Sequence, residues 1–161
     1  MSTSTASRGH ALERYQMPQL LRPINTVSAV DVHDTAGTSL ALFTIPVHWG
    51  TVEILAMGAH YAAAGGAQTV DGTIMLEIAG ADVEDADGDD FVVTCEASHT
   101  IWDAVETSLN STTSATELTQ GPSFPTADYN DKIEMKIGTE GTGAGDQTLW
   151  PYLIVRIKNP Q

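Results

Sequence analysis

Between positions 132 and 137 the chain alternates without a break, with Lys132, Glu134 and Lys136 set against Ile133, Met135 and Ile137. A period of two sends the two sets to opposite faces of a β-strand, so the segment predicts a strand with one face in a core and one in water. The period recurs. Ile74, Leu76 and Ile78 alternate with Thr73, Met75 and Glu77 over residues 73–79. Phe91, Val93 and Cys95 share one face over residues 91–95, and Leu149, Leu153, Val155 and Ile157 do so over residues 149–158. Residues 40–47 and 52–61 are apolar almost throughout, as strands covered on both faces are. Pro46 marks an end or an edge in the first, and Gly58 a bulge or a close backbone approach in the second. Residues 27–32 complete a set of seven.

Residues 99–119 are ambiguous. Thr100 and Asp103 resemble a capping box, and Ile101, Val105 and Leu109 have helical spacing, which predicts a short helix to about residue 109. The alternative is an eighth strand, because Thr and Ser run densely onward. Residues 121–130, with Pro122 and Pro125, and the glycine-rich residues 138–146 read as connections. Seven or eight short strands with glycine and proline turns predict an all-β antiparallel sandwich, most simply an eight-stranded jelly roll. An immunoglobulin-like sandwich is the nearest competitor, without the disulfide of antibody domains, since Cys95 is the only cysteine.

At 161 residues the chain is long enough for one domain and an appendage. Residues 1–25 read as a flexible or extended N-terminal arm and residues 26–161 as the sandwich. Pro18 and Pro23 forbid one continuous helix there. The arm carries more apolar residues than a free tail needs, so it is expected to dock. Arg8, Leu12, Arg14, Tyr15, Leu20, Leu21 and Arg22 are the candidate partner contacts.

Charge divides at the same place. Arg8, Arg14 and Arg22 against Glu13 leave residues 1–22 at +2, while the rest carries −16 of a net −14. An acidic body repels phosphate backbones and anionic lipid, so nucleic acid and membranes are not expected partners. No apolar run approaches the roughly 20 residues of a membrane span, and the first fourteen residues lack the apolar stretch of a signal peptide. Export by that route is not expected.

Chemistry-bearing motifs are few. Asp85, Asp87 and Asp89, with Glu96 at the twelfth position, have the spacing of a calcium loop. The sixth position is Asp90 instead of glycine, and strands flank the segment, so a solvated acidic hairpin loop competes with a calcium site. The five histidines, His10, His33, His48, His60 and His99, include no pair at ligand spacing. Ser98 beside His99 lacks a nucleophile elbow. Gly141, Gly143 and Gly145 mimic a dinucleotide fingerprint without its strand and helix. Asn110-Ser111-Thr112 fits a glycosylation site, idle without secretion. Trp49, Trp102 and Trp150 would suit a sugar-stacking platform if the fold brought them together. An enzyme is not expected, and no cofactor beyond calcium in the acidic loop.

The layout of an arm at residues 8–23 and a compact, acidic, cysteine-poor β-body at residues 26–158, including the apolar stretch 40–61, resembles the head decoration or cement proteins of tailed bacteriophages. The resemblance implies a non-enzymatic virion protein on the outer capsid surface, made in the host cytoplasm. It implies the major capsid protein as partner and copies of the chain as homotrimers, with the arm lying across a neighbour. The alternative is a small carbohydrate-binding or adhesion module, with or without calcium.

Overall fold

The computed structural model describes residues 17–25, 30–31, 36–62, 67–70, 72–85, 88–95, 100, 102–110, 123–144 and 148–159. The strands are β1 (Gln19–Leu21), β2 (Val30–Asp31), β3 (Ser39–Phe43), β4 (Thr51–Tyr61), β5 (Ala67–Val70), β6 (Gly72–Ile78) and β7 (Ala81–Asp82). They continue with β8 (Val92–Cys95), β9 (Ala104–Ser108), β10 (Thr126–Asp128), β11 (Ile133–Thr139), β12 (Thr142–Ala144) and β13 (Thr148–Asn159). A 3₁₀ turn spans Val47–Trp49, and the described residues include no α-helix.

The chain is an antiparallel β-sandwich. In the front sheet β13 lies between β1 and β4, and β9 and β10 share the far side of β4; β2 extends the β1 edge. In the back sheet the order is β3, β11, β6, with β7 and β8 side by side beyond β6. Both open sides are tied across. Ile24 donates its backbone N–H to the Leu42 carbonyl at 2.8 Å, and Leu42 donates to Asn25 Oδ1 at 2.7 Å, so residues 19–25 run from the β13 edge to the β3 edge. On the other side the Thr107 hydroxyl donates to the Val92 carbonyl at 2.9 Å, joining β9 to β8.

Alternation places the core. Ile133, Met135 and Ile137 are fully buried, as are Ile74 and Leu76 opposite them and Leu149, Leu153 and Val155 in the front sheet. Burying each such side chain contributes on the order of 1.5–3 kcal/mol. In β4 the inward set changes parity. Val52 and Ile54 point inward, then Met57, Ala59 and Tyr61 do, because Leu55 has no partner between the Ile54–Val155 and Ala56–Ile154 pairs. This extra residue is a β-bulge, and it turns an alternating strand into one that reads as apolar at almost every position.

Several expectations are corrected. The strand expected over 40–47 ends at Phe43, since Pro46 has no N–H to offer a ladder and begins the 3₁₀ turn. The helix expected to residue 109 is absent among the described residues. Its capping-type bonds exist, with Thr100 N–H donating to Asp103 Oδ2 at 2.8 Å, but Trp102 has φ 72° and the chain enters β9. A spacing of four is also an even number, so Val105 and Leu109 share one face of an extended chain. The connection expected over 121–130 contains β10, and that over 138–146 contains β12, which pairs with β5 in a separate ribbon. Between β6 and β7 a two-residue turn, Ala79-Gly80, has φ 53° and 87°, the double left-handed geometry of a tight hairpin. Of the strand expected over 27–32 only β2 lies within the described residues.

Candidate functional site

The arm expected over residues 1–25 is only partly an arm. Gln19–Leu21 pair with Leu153–Val155 as β1, and Leu21 is 8% exposed within the main core. The two adjacent leucines explain this, for in a strand one points in and one out. Leu21 serves the molecule's own interior, which corrects its assignment as a partner contact. Leu20, paired with Ile154, faces outward and is 53% exposed, and Arg22 is exposed. Arg8, Leu12, Arg14 and Tyr15 lie outside the described residues. Sequence reasoning missed Ile24, which is 62% exposed, and left Met17, at 63%, off the contact set. Apolar residues set next to prolines, Met17 before Pro18 and Ile24 after Pro23, were the available signal.

The outward face of the front sheet is organised in cross-strand rows. Trp150, His60 and Ala104 form one, and Tyr152, Gly58 and Glu106 the next. Leu20, Ile154, Ala56 and Ser108 form the third, and Arg156, Glu53 and Thr126 the fourth. In the second row the Tyr152 ring occupies the space over Gly58, and its hydroxyl donates to Glu106 Oε2 at 2.9 Å. The Tyr152 and His60 rings lie 5.2 Å apart. Burial and the neighbouring carboxylate together push the Tyr152 hydroxyl up to about 12.

In the fourth row Glu53 Oε2 accepts from both Nε and Nη2 of Arg156, at 2.8 and 2.6 Å, and Lys158 Nζ lies 3.3 Å from Oε1. Burial opposes ionisation of Glu53, but the bonds from Arg156 and Lys158 outweigh it and hold its carboxyl below the usual range. These residues and Ile157 line an open hollow of about 390 Å³. The Arg156 guanidinium also lies 6.0 Å from the Phe124 ring centre.

On the back sheet Glu134 is 5% exposed and sits opposite Glu77. Lys132 Nζ approaches Glu134 at 2.6 Å, and Lys136 bonds Glu77. Bonds from Lys132 and Ser39 hold Glu134 below the usual carboxylate range. Glu53 and Glu134 therefore add stability that is present above an unfolded value of about 4.3 and lost as pH falls through their lower folded values. Unfolding free energy is expected to be flat in this respect above pH ~5.5 and to decline below pH ~4. Glu134→Gln should reduce that decline in acid denaturation monitored by circular dichroism.

The remaining motifs are dispersed. Asp85 Oδ1 accepts the Asp89 backbone N–H at 3.0 Å, closing a turn in which Gly88 has φ 85°. Asp89 is exposed, and Asp87 and Glu96 lie outside the described residues. No group of three potential metal ligands occurs among the described residues. The tryptophans do not form one platform. Trp49 packs against the core at the start of β4, whereas Trp150 and the exposed Trp102 are near its far end. His48 and His60 are far apart on the same grounds, and His10, His33, Ser98 and His99 lie outside the described residues. The described residues contain no helix long and apolar enough to cross a membrane. No family model, curated protein or solved structure matches the chain.

Proposed function

We propose that this chain is a non-enzymatic structural protein that attaches to the outer surface of a larger protein shell, as capsid decoration or cement proteins do. Its N-terminal segment is the attachment element, and copies of the chain act together. The observation that carries this reading is how β1 presents that segment. Gln19–Leu21 are locked into the front sheet and residues 24–25 onto the back sheet, so whatever precedes Met17 leaves from a fixed point beside exposed Met17 and Leu20. An extended segment on a rigid body adds contact at high effective concentration once the body has landed.

Strand order supports the same reading at the level of fold. The sequence β1, β13, β4, β9 facing β3, β11, β6, β8 sends successive strands to alternating sheets except at β6 and β8, which pair in one sheet, in the manner of an eight-stranded jelly roll. That architecture is shared by viral capsid domains and lectins, so it is an analogy and the arm carries the argument.

The test is removal of residues 1–16, which leaves β1 and the strap intact; a deletion through residue 22 would also remove Leu21 from the core. The truncated protein is expected to keep its melting temperature and to lose at least tenfold in retention of a shell protein, identified by mass spectrometry after pull-down from the native source with a tag after Gln161. Equal retention of the same shell protein by both forms would remove the segment from the mechanism.

A further inference from the structure

The two outward faces of the sandwich differ in kind. The back sheet presents Lys136 bonded to Glu77 and near Glu134, with Asp82 opposite Glu77 and only Met75 and Val92 as an apolar pair among them, as a solvated antiparallel face does. The three rows of the front sheet from Trp150 to Leu20 present tryptophan, tyrosine, leucine and isoleucine with one formal charge, Glu106. Leu20 is 53% exposed, and Trp150, His60 and Ile154 keep part of their surface in water. A chain with net charge −14 has left nearly uncharged a sheet face large enough to seat an extended segment.

We propose that this face is the seat for residues 8–16 of a second copy of this chain. The inference rests on the reading of that segment as an assembly arm and names what it binds. Chemistry matches on both sides. The segment brings Leu12 and Tyr15 for the apolar rows and Arg8 and Arg14 for the one exposed carboxylate, and arginine pairs with carboxylates through two parallel donors. It also holds two of the three basic residues before Lys132 in an acidic chain, the third being Arg22.

Chain direction favours an intermolecular contact. β1 runs antiparallel to β13, with Gln19 opposite Val155, so stepping back from Gln19 to Met17 leads toward Ile157 and away from the seat. Pro18 biases Met17 to an extended backbone, which continues that course instead of reversing it. Nine residues, 8–16, reach about 30 Å when extended, twice the radius of gyration of roughly 15 Å for a domain of this length. That is enough for the segment to lie across a neighbouring copy packed beside Met17.

Native mass spectrometry and light scattering on the full chain, followed by a complementation, test the proposal. The full chain is expected to associate, and both the form lacking residues 1–16 and the Leu20→Asp form to be monomeric with unchanged circular dichroism. Ile154→Asp is a second variant on the same row. Mixing the truncated form, which keeps a seat, with Leu20→Asp, which keeps an arm, should restore a heterodimer. A full chain that stays monomeric through the high micromolar range, a truncated form that still associates, or a mixture without heterodimer would each overturn it. Shell pull-down reads the arm's attachment role separately, so retained shell binding by a monomeric full chain would reject the seat and spare the broader reading.

Discussion

Gly58→Ala is expected to lower the stability of this protein by about 3 kcal/mol or more, a loss of roughly 6–12 °C in Tm for a domain of this size. Gly58 is in the middle of β4, the strand that pairs with both β13 and β9. A Cβ there would lie 2.6 Å from the Val105 carbonyl oxygen and 2.8 Å from Cζ and Oη of Tyr152. One of these neighbours is backbone in a paired strand and does not yield; the other is an aromatic ring that is 6% exposed. Relief requires β9 to move away or Tyr152 to leave its site and its bond to Glu106. A double variant separates the two. Combining Gly58→Ala with Tyr152→Leu should cost less than the sum of the single changes, because the ring contact is counted only once. Strict additivity in denaturant titrations would show that the ring is not what Gly58 accommodates.

The same glycine shows what could be read from the sequence. A glycine inside a long apolar strand signals either a bulge or a close approach, and here it is the close approach, while the bulge sits three residues earlier at Leu55. Nothing about a leucine announces a bulge. Its consequence, a strand apolar on both parities, reads as burial on both faces, and the outward Ala56 and Gly58 are in fact buried, with His60 half-buried. Strong alternation in β6, β11 and β13 located the core because solvent and interior demand opposite residue types there. Short edge strands gave no such signal. β1, β10 and β12 have three residues each, too few for a period, and their pairing is set by strands more than twenty positions away. Leu20 and Leu21 show the limit for the candidate site: two neighbouring leucines look alike in sequence, yet one is core and one is surface, and only the register with β13 decides which.

Tyr152→Phe is expected to flatten a loss of stability at alkaline pH. An unfolded tyrosine titrates near 10, whereas in the folded chain burial and Glu106 push Tyr152 up to about 12. Between those values the folded state holds a proton that the unfolded state has released. Stability from this group is therefore fully present below pH 10 and falls as pH rises toward 12, by at most ~1.4 kcal/mol per unit. Two units would give ~2.7 kcal/mol, and screening by water at the Glu106 side reduces this to roughly 1–2 kcal/mol. Burial is the leading cause of the shift and Glu106 adds to it, since a carboxylate accepts from the phenol and repels the phenolate. Glu106→Gln should therefore remove only part of Tyr152's share of the alkaline slope, and Tyr152→Phe the whole of that share, when unfolding free energies from urea titrations at pH 9 and pH 11.5 are compared. If wild type and Tyr152→Phe lose stability equally over that interval, the phenol over Gly58 is open to water, and the tight packing that defines the centre of the front sheet is absent in solution.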